Sequence, residues 1–179
     1  MTTQSGITTK MITNNANDWC YCVLSVTTEN YKNKQCQHEL QLFIDEVVDL
    51  DDNTPLTLNS VYEIPNCLID SYENCDEKTY EANRKQCGFS NVFEYTLKEW
   101  GVLYDVVDIQ IDKQTDDSIV YSFRTRSVAP IQWIKNVSLI YGELVFDIEA
   151  INEMDLWDSY TATYLNGKEI FYSTHKNKK

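Results

Sequence analysis

The stretch that decides the fold is Thr96 to Ile131, TLKEWGVLYDVVDIQIDKQTDDSIVYSFRTRSVAPI. A helix end runs into Trp100-Gly101. Tyr104 to Asp112 then alternates as a strand does, with Val107, Ile109 and Ile111 on one side and Val106, Asp108 and Gln110 on the other. Lys113 to Asp117 is a polar turn. Ser118 to Arg126 alternates again, which puts Ile119, Tyr121 and Phe123 inward and Val120, Ser122, Arg124 and Arg126 outward. A helix follows over Ala129 to Tyr141: Pro130 sits in its first turn, where a missing N–H costs no bond, and Ile131, Ile134, Val137, Ile140 and Tyr141 recur at helical spacing. Gly142 ends it.

Upstream, Trp19 to Thr28 reads as a strand with Cys20, Cys22, Leu24 and Val26 on its core face. Gln35 to Val48 reads as a helix in which Leu40, Phe43, Ile44 and Val47 recur at helical spacing. Asn53-Thr54-Pro55 breaks the chain, and Leu56 to Ile64 predicts a second strand ending at Pro65. Residues 66–91 are polar and predict a surface insertion with one short exposed helix, Glu77 to Gln86, stopped by Gly88. Asn91 to Trp100 predicts a helix that buries Val92, Tyr95, Leu97 and Trp100.

Downstream, Glu143 to Ile151 is a strand with Leu144, Phe146, Ile148 and Ala150 inward and Asp147 and Glu149 outward. Ser159 to Tyr172 is a hairpin around Asn166-Gly167, the strongest hairpin signal in the chain. This order predicts an α+β fold, a ferredoxin-like antiparallel sheet with helices on one face, plus the surface insertion and a C-terminal hairpin. Residues 1–17 read as a flexible arm, 18–173 as one domain and 174–179 as a basic tail.

The chain has 179 residues and a formal net charge of -13, with Arg only at positions 84, 124 and 126. Such acidity argues against a nucleic-acid partner, which needs clustered Lys and Arg, and is compatible with a basic protein partner. The first eighteen residues hold no apolar run of signal-peptide length, and nothing elsewhere is long and apolar enough to span a membrane. A cytoplasmic protein with six reduced thiols is the expectation.

Several short motifs carry a family resemblance. The chain has Asn17-Asp18-Trp19-Cys20 at its first strand, a Pro-containing turn over Ser60 to Pro65, Glu99-Trp100-Gly101-Val102-Leu103-Tyr104-Asp105 at its centre, and Thr125-Arg126-Ser127-Val128-Ala129-Pro130 after the hairpin. These resemble, in turn, the Pro-Asn-Trp-Cys, Pro-turn, Asn-Trp-Gly-Thr-Lys-Trp-Asp and Thr-x-Trp-Ser-Pro-Pro signatures of the YubB-type ferredoxin-like proteins of phages and plasmids, whose molecular function is largely undescribed. The resemblance covers most of Asp18 to Tyr172 and implies a ferredoxin-like fold in a mobile-element setting. The Thr-Lys-Trp and Trp-Ser-Pro portions are replaced here. Any chemistry the family places there is absent from this chain; if those positions only pack, Tyr104 and its apolar neighbours replace them.

The residues offer little catalysis. Cys20, Cys22, Cys36 and His38 make a conceivable Cys₃His zinc set, but their spacing fits no standard motif, and buried small side chains are the reading adopted. Neither His38 nor His175 has a nucleophile motif beside it, and the five Gly are scattered, so there is no phosphate loop. Asp147 and Glu149 read as a solvated face rather than a cation site. No cofactor is expected. The candidate partner-binding residues are the acidic loop Asp49, Asp51 and Asp52, and Asp155 and Asp158 flanking Trp157, an interface-like aromatic among carboxylates.

The expected function is therefore that of a phage or mobile-element accessory protein, a monomer or weak dimer, that binds a host protein through an acidic surface. Blocking a nucleic-acid-binding defence complex is its most concrete version. The alternative is a nucleotide or other anionic ligand, or an enzyme acting on one, at the outward sheet face around Arg124 and Arg126.

Overall fold

A computed structural model of the chain describes residues 18–30, 33–72, 75–153 and 158–176. In chain order the elements are β1 (Trp19–Thr28), α1 (Lys34–Val47), a 3₁₀ turn (Asn66–Leu68), α2 (Glu77–Cys87), α3 (Val92–Glu99), β2 (Val107–Gln114), β3 (Ser118–Arg126), α4 (Ile131–Ile140), β4 (Leu144–Asn152), β5 (Asp158–Leu165) and β6 (Lys168–Lys176). They form one antiparallel sheet in the order β2-β3-β1-β4-β5-β6. The first four of these strands, joined through α1 and α4, have the ferredoxin-like arrangement, and the β5–β6 hairpin extends the sheet beyond β4.

Alternation sets which face is buried. Cys20, Cys22, Leu24 and Val26 of β1, Ile119, Tyr121 and Phe123 of β3, and Leu144, Phe146, Ile148 and Ala150 of β4 are all buried under the helices. α1 adds Leu40, Phe43 and Val47, and α4 adds Trp133, Ile134 and Val137. Phe43 meets Tyr141 and Phe146 edge-to-face, each at 5.4 Å between centroids. Among the described residues no helix covers the opposite sheet face; Tyr21 and Val23 of β1 and Ile151 of β4 are exposed on it.

The chain termini of helices follow local chemistry. Asn33, Asp76 and Asn91 cap α1, α2 and α3 by accepting from Gln35, Thr79 and Glu94 N–H groups. Gly88 ends α2 in the left-handed region, as the sequence predicts. Asn166 and Gly167 both have positive φ, 49° and 71°, the turn that matches strand twist in a two-residue hairpin.

Four expectations are corrected. Leu56 to Ile64 is not a strand; an isolated bridge between Asp49 and Thr54 lies just before it. Leu56 and Leu58 are buried; the Thr57 N–H donates to the Val47 carbonyl at the end of α1, and side chains rather than a neighbouring strand pair the Leu58 backbone and the Tyr62 carbonyl. On α3 the buried residue is Thr96, not Leu97: Val92, Tyr95, Thr96 and Trp100 share one helix face and Leu97 points to solvent. On α4, Trp133 takes the buried place and Ile140 is exposed. β6 runs to Lys176, three residues into the stretch expected as a tail. The 66–91 segment lies off the sheet and is anchored by buried Leu68, Ser71, Asn83 and Ser90. No helix among the described residues is long and apolar enough to cross a membrane.

Candidate partner-binding cleft

The segment after α1 is held by three side chains, Trp100 and Asp105 of the central stretch and Trp133 of α4. The Trp133 indole N–H donates to the Leu58 carbonyl at 3.0 Å, and the Trp100 indole N–H to the Tyr62 carbonyl at 2.9 Å. The Asp105 carboxylate accepts from the Leu58 N–H at 2.9 Å, the Thr57 hydroxyl at 2.5 Å and the Val106 N–H at 2.7 Å. Asn59 closes the segment on itself by accepting from the Ile64 N–H at 2.8 Å. Buried backbone groups must be paired somewhere, and here indoles and a carboxylate do what a ladder would do in a sheet.

Gly101 makes this possible. Its φ is +82°, and a Cβ built there would sit 3.2 Å from both Cβ and N of Gln132 in α4. The Trp-Gly-…-Asp signature thus turns the chain from α3 toward β2 while pressing it onto α4, with Trp133 N–H donating to the Trp100 carbonyl at 3.1 Å.

Between this segment and α3 lies a cleft of about 390 Å³. Asp49, Asp52 and Asp105 contribute carboxylates, Thr54 and Asn59 neutral polar groups, and Tyr72, Trp100 and Tyr104 aromatic surface. Tyr72 and Tyr104 are both half exposed and stand either side of Phe93, each edge-to-face with it at 5.8 Å. A second depression, lined by Asp49, Leu50, Asp51 and Asn59, adjoins the first through Asp49.

The acidic loop is a built turn. One oxygen of Asp49 accepts from the N–H groups of Asp51 (3.0 Å) and Asp52 (3.3 Å), and Asp49 and Thr54 exchange backbone bonds. That turn holds Leu50 out with 87% of its surface exposed, next to the Asp51 and Asp52 carboxylates. Of the three acids the sequence singled out, Asp49 shapes the turn while Asp51 and Asp52 are presented by it. Leu50 and Tyr72 were missed. A lone Leu in an acidic run and a Tyr in a polar insertion give no periodic signal; Asp105, which ends the Trp-Gly signature, was the legible clue to this cleft.

The other predicted residues lie elsewhere. Asp155 and Trp157 fall outside the described residues, and of Asp158 only the backbone, opening β5 opposite Lys176, is described. Arg124 forms an ion pair with Asp108 and lies 4.7 Å from the Trp19 ring; Arg126 lies over the same ring at 3.9 Å. Asp108 reaches Arg124 because it sits in the left-handed region (φ 53°) at a bulge in β2. Both guanidinium groups of the alternative site are therefore engaged with the indole. Asp147 accepts from the Thr163 hydroxyl at 2.5 Å.

Cys20, Cys22, Cys36 and His38 do not converge on one point. Cys20 and Cys22 touch at 3.8 Å in the core, where contact with Cys20 and burial push the Cys22 thiol well up. Cys36 is 3.8 Å from Glu143, at the Thr28 end of β1, and His38 is exposed. The stretch of β1 from Cys22 to Thr28, roughly 20 Å at about 3.3 Å per residue, separates the two pairs. Among the described residues no group of three or more His, Cys, Asp or Glu is placed to hold a metal ion.

No family model and no curated protein matches the chain. Among solved structures, the crystal structure of a protein api92 from Yersinia pseudotuberculosis, of the family model DUF1281, is similar to it. The TM-score is 0.49 and the identity 10%, over 90% of this chain and 99% of that one. At that level the likeness says nothing about activity or partner.

Proposed function

We propose that this chain is an accessory protein of a phage or mobile element that acts by binding a host protein through the acidic turn and the cleft beside it. The observation that carries the binding reading is Leu50, an apolar side chain held almost wholly in solvent by a turn that Asp49 organises, between two carboxylates and a tyrosine-rimmed cleft. An exposed apolar tip flanked by like charges suits a partner with a small apolar socket set in a basic surface. Blocking the basic groove of a nucleic-acid-binding defence complex is the specific version; the mobile-element setting rests on the sequence resemblance alone.

The test is capture of tagged protein from infected host lysate, followed by kinetics with the purified partner. Asp51→Asn with Asp52→Asn slows association and flattens its salt dependence, because exposed charges steer encounter. Leu50→Ala speeds dissociation instead. A partner that binds these variants as tightly as the parent, yet is lost on Arg124→Ala or Arg126→Ala, moves the site to the sheet face and sinks the reading.

A further inference from the structure

The cleft beside the acidic turn is lined by three carboxylates and, among the described residues, by no Lys, Arg or His. Asp105 is filled by neutral donors, the N–H groups of Leu58, Asn59 and Val106 and the Thr57 hydroxyl. Asp49 spends one oxygen on the Asp51 and Asp52 N–H groups. Its other oxygen and both oxygens of the Asp52 carboxylate meet no donor among the described residues. The walls add aromatic faces. Tyr72 and Tyr104 are 51% and 47% exposed, and each meets Phe93 edge-to-face, a contact that occupies at most one side of each ring. The volume of about 390 Å³ falls in the range of small-ligand sites, roughly 300–1,000 Å³. Free carboxylate oxygens oppose an anion, and an open tyrosine face attracts a cation through the ring quadrupole. Of the two common side-chain cations, guanidinium suits this pairing better. It is flat and weakly hydrated, stacks on aromatic faces and presents a fork of N–H groups to a carboxylate.

We infer that this cleft seats the guanidinium group of an arginine side chain supplied by the bound protein, its face on a rim tyrosine and its N–H groups on Asp52 and the free oxygen of Asp49. That the arginine comes from a host protein rests on the binding reading above; the guanidinium site itself does not. The interface then has two anchors that point in opposite directions. Leu50 enters the partner, and the partner's arginine enters the cleft beside it.

Ethylguanidinium chloride, titrated at low ionic strength into the isotope-labelled full chain and followed by amide NMR, tests the site without any partner. Saturable shifts are expected at Thr54, Asn59 and Tyr104 with a roughly millimolar Kd, and no matching shifts at Asp147 and Glu149. Asp52→Asn and Tyr104→Ala should each weaken the probe about two- to fivefold, and Tyr104→Phe should retain it, because the ring rather than the hydroxyl holds the cation. Butylammonium, which carries the lysine head group, should bind more weakly. Shifts that never saturate, shifts of equal size at Asp147 and Glu149, or butylammonium binding as tightly as the guanidinium overturn the inference. No probe binding, with a captured partner still lost on Leu50→Ala, strikes this inference alone. A probe that binds as expected, with a captured partner indifferent to both Asp52→Asn and Leu50→Ala, leaves the guanidinium site standing and sinks the host-protein reading.

Discussion

The segment 56–65 and the β5–β6 hairpin are two ways of fixing a stretch of chain, and they differ in where the bonds come from. The hairpin is held by its own ladder and a two-residue turn, with Ile170, Phe171 and Tyr172 left half exposed. The segment has no ladder; one backbone bond from Thr57 to Val47 and three distant side chains, Trp100, Asp105 and Trp133, hold it. A ladder spreads its stability over many equivalent bonds, so single side chains matter little. A segment pinned at a few points loses its shape when one pin is removed, and the cleft is lined by that segment.

The sharpest test of this contrast is Trp133→Ala. It removes a fully buried indole together with its bond to Leu58, and should cost about 3–5 kcal/mol in urea unfolding. Tyr172→Ala, at the hairpin's exposed edge, should stay within about 1 kcal/mol. Equal losses would mean that the segment is not held at points.

Asp105→Ala leaves the Leu58 N–H without its acceptor and should cost about 1–3 kcal/mol. Amide exchange at Leu58 and Val106 should quicken more than at Tyr160 or Ala162 in β5. Uniform quickening would show that the carboxylate acts on global stability alone.

Alkaline pH probes the same region through Tyr95, whose ring packs against Trp100. Burial, then the nearby Glu99, pushes its hydroxyl up from an ordinary 10 to about 12. A raised folded value means the unfolded chain loses this proton first. Tyr95 therefore contributes stability that is complete below pH 10 and fades as pH rises toward 12. Urea midpoints for Tyr95→Phe should fall less steeply over that window than those of the parent; parallel curves would refute the assignment.

Gly167→Ala is the hairpin's own weak point. The positive φ and the approach of Leu139, 3.1 Å from a built Cβ, should make it cost about 1–2 kcal/mol while leaving the cleft intact. Last and smallest, Asp51→Asn should change stability by under about 0.5 kcal/mol, so its effect on partner association is read cleanly.

The hairpin was legible in the sequence and the segment was not, for a physical reason. Asn166-Gly167 and the alternation of β1, β3 and β4 report interactions that repeat with the chain's own period. Leu56 to Ile64 reads as a strand from its composition, yet the structure makes it none. What the pattern does not encode is the identity of the hydrogen-bond partners, which lie about 40 to 75 residues away. The same gap explains the site. The acidity of Asp49, Asp51 and Asp52 could be read directly, but not that Asp49 would turn inward on its own loop and lift Leu50 into solvent. Arg124 and Arg126 were read correctly as outward; their stacking on Trp19 depends on cross-strand register, which a single strand's sequence leaves undetermined.

The bulge at Asp108 has a consequence for crowding. An outermost strand offers unpaired N–H and C=O groups along its free side, and a flat one invites further chains to add on, the route by which sheets grow into aggregates. β2 is such a strand, but its register shifts twice and its backbone passes through the left-handed region at Asp108. A bent, twisted border cannot supply an unbroken row of bonds to a newcomer. The residue that aims a carboxylate at Arg124 therefore also blunts one border of the sheet against uncontrolled polymerisation, leaving growth by strand addition to the β6 side alone.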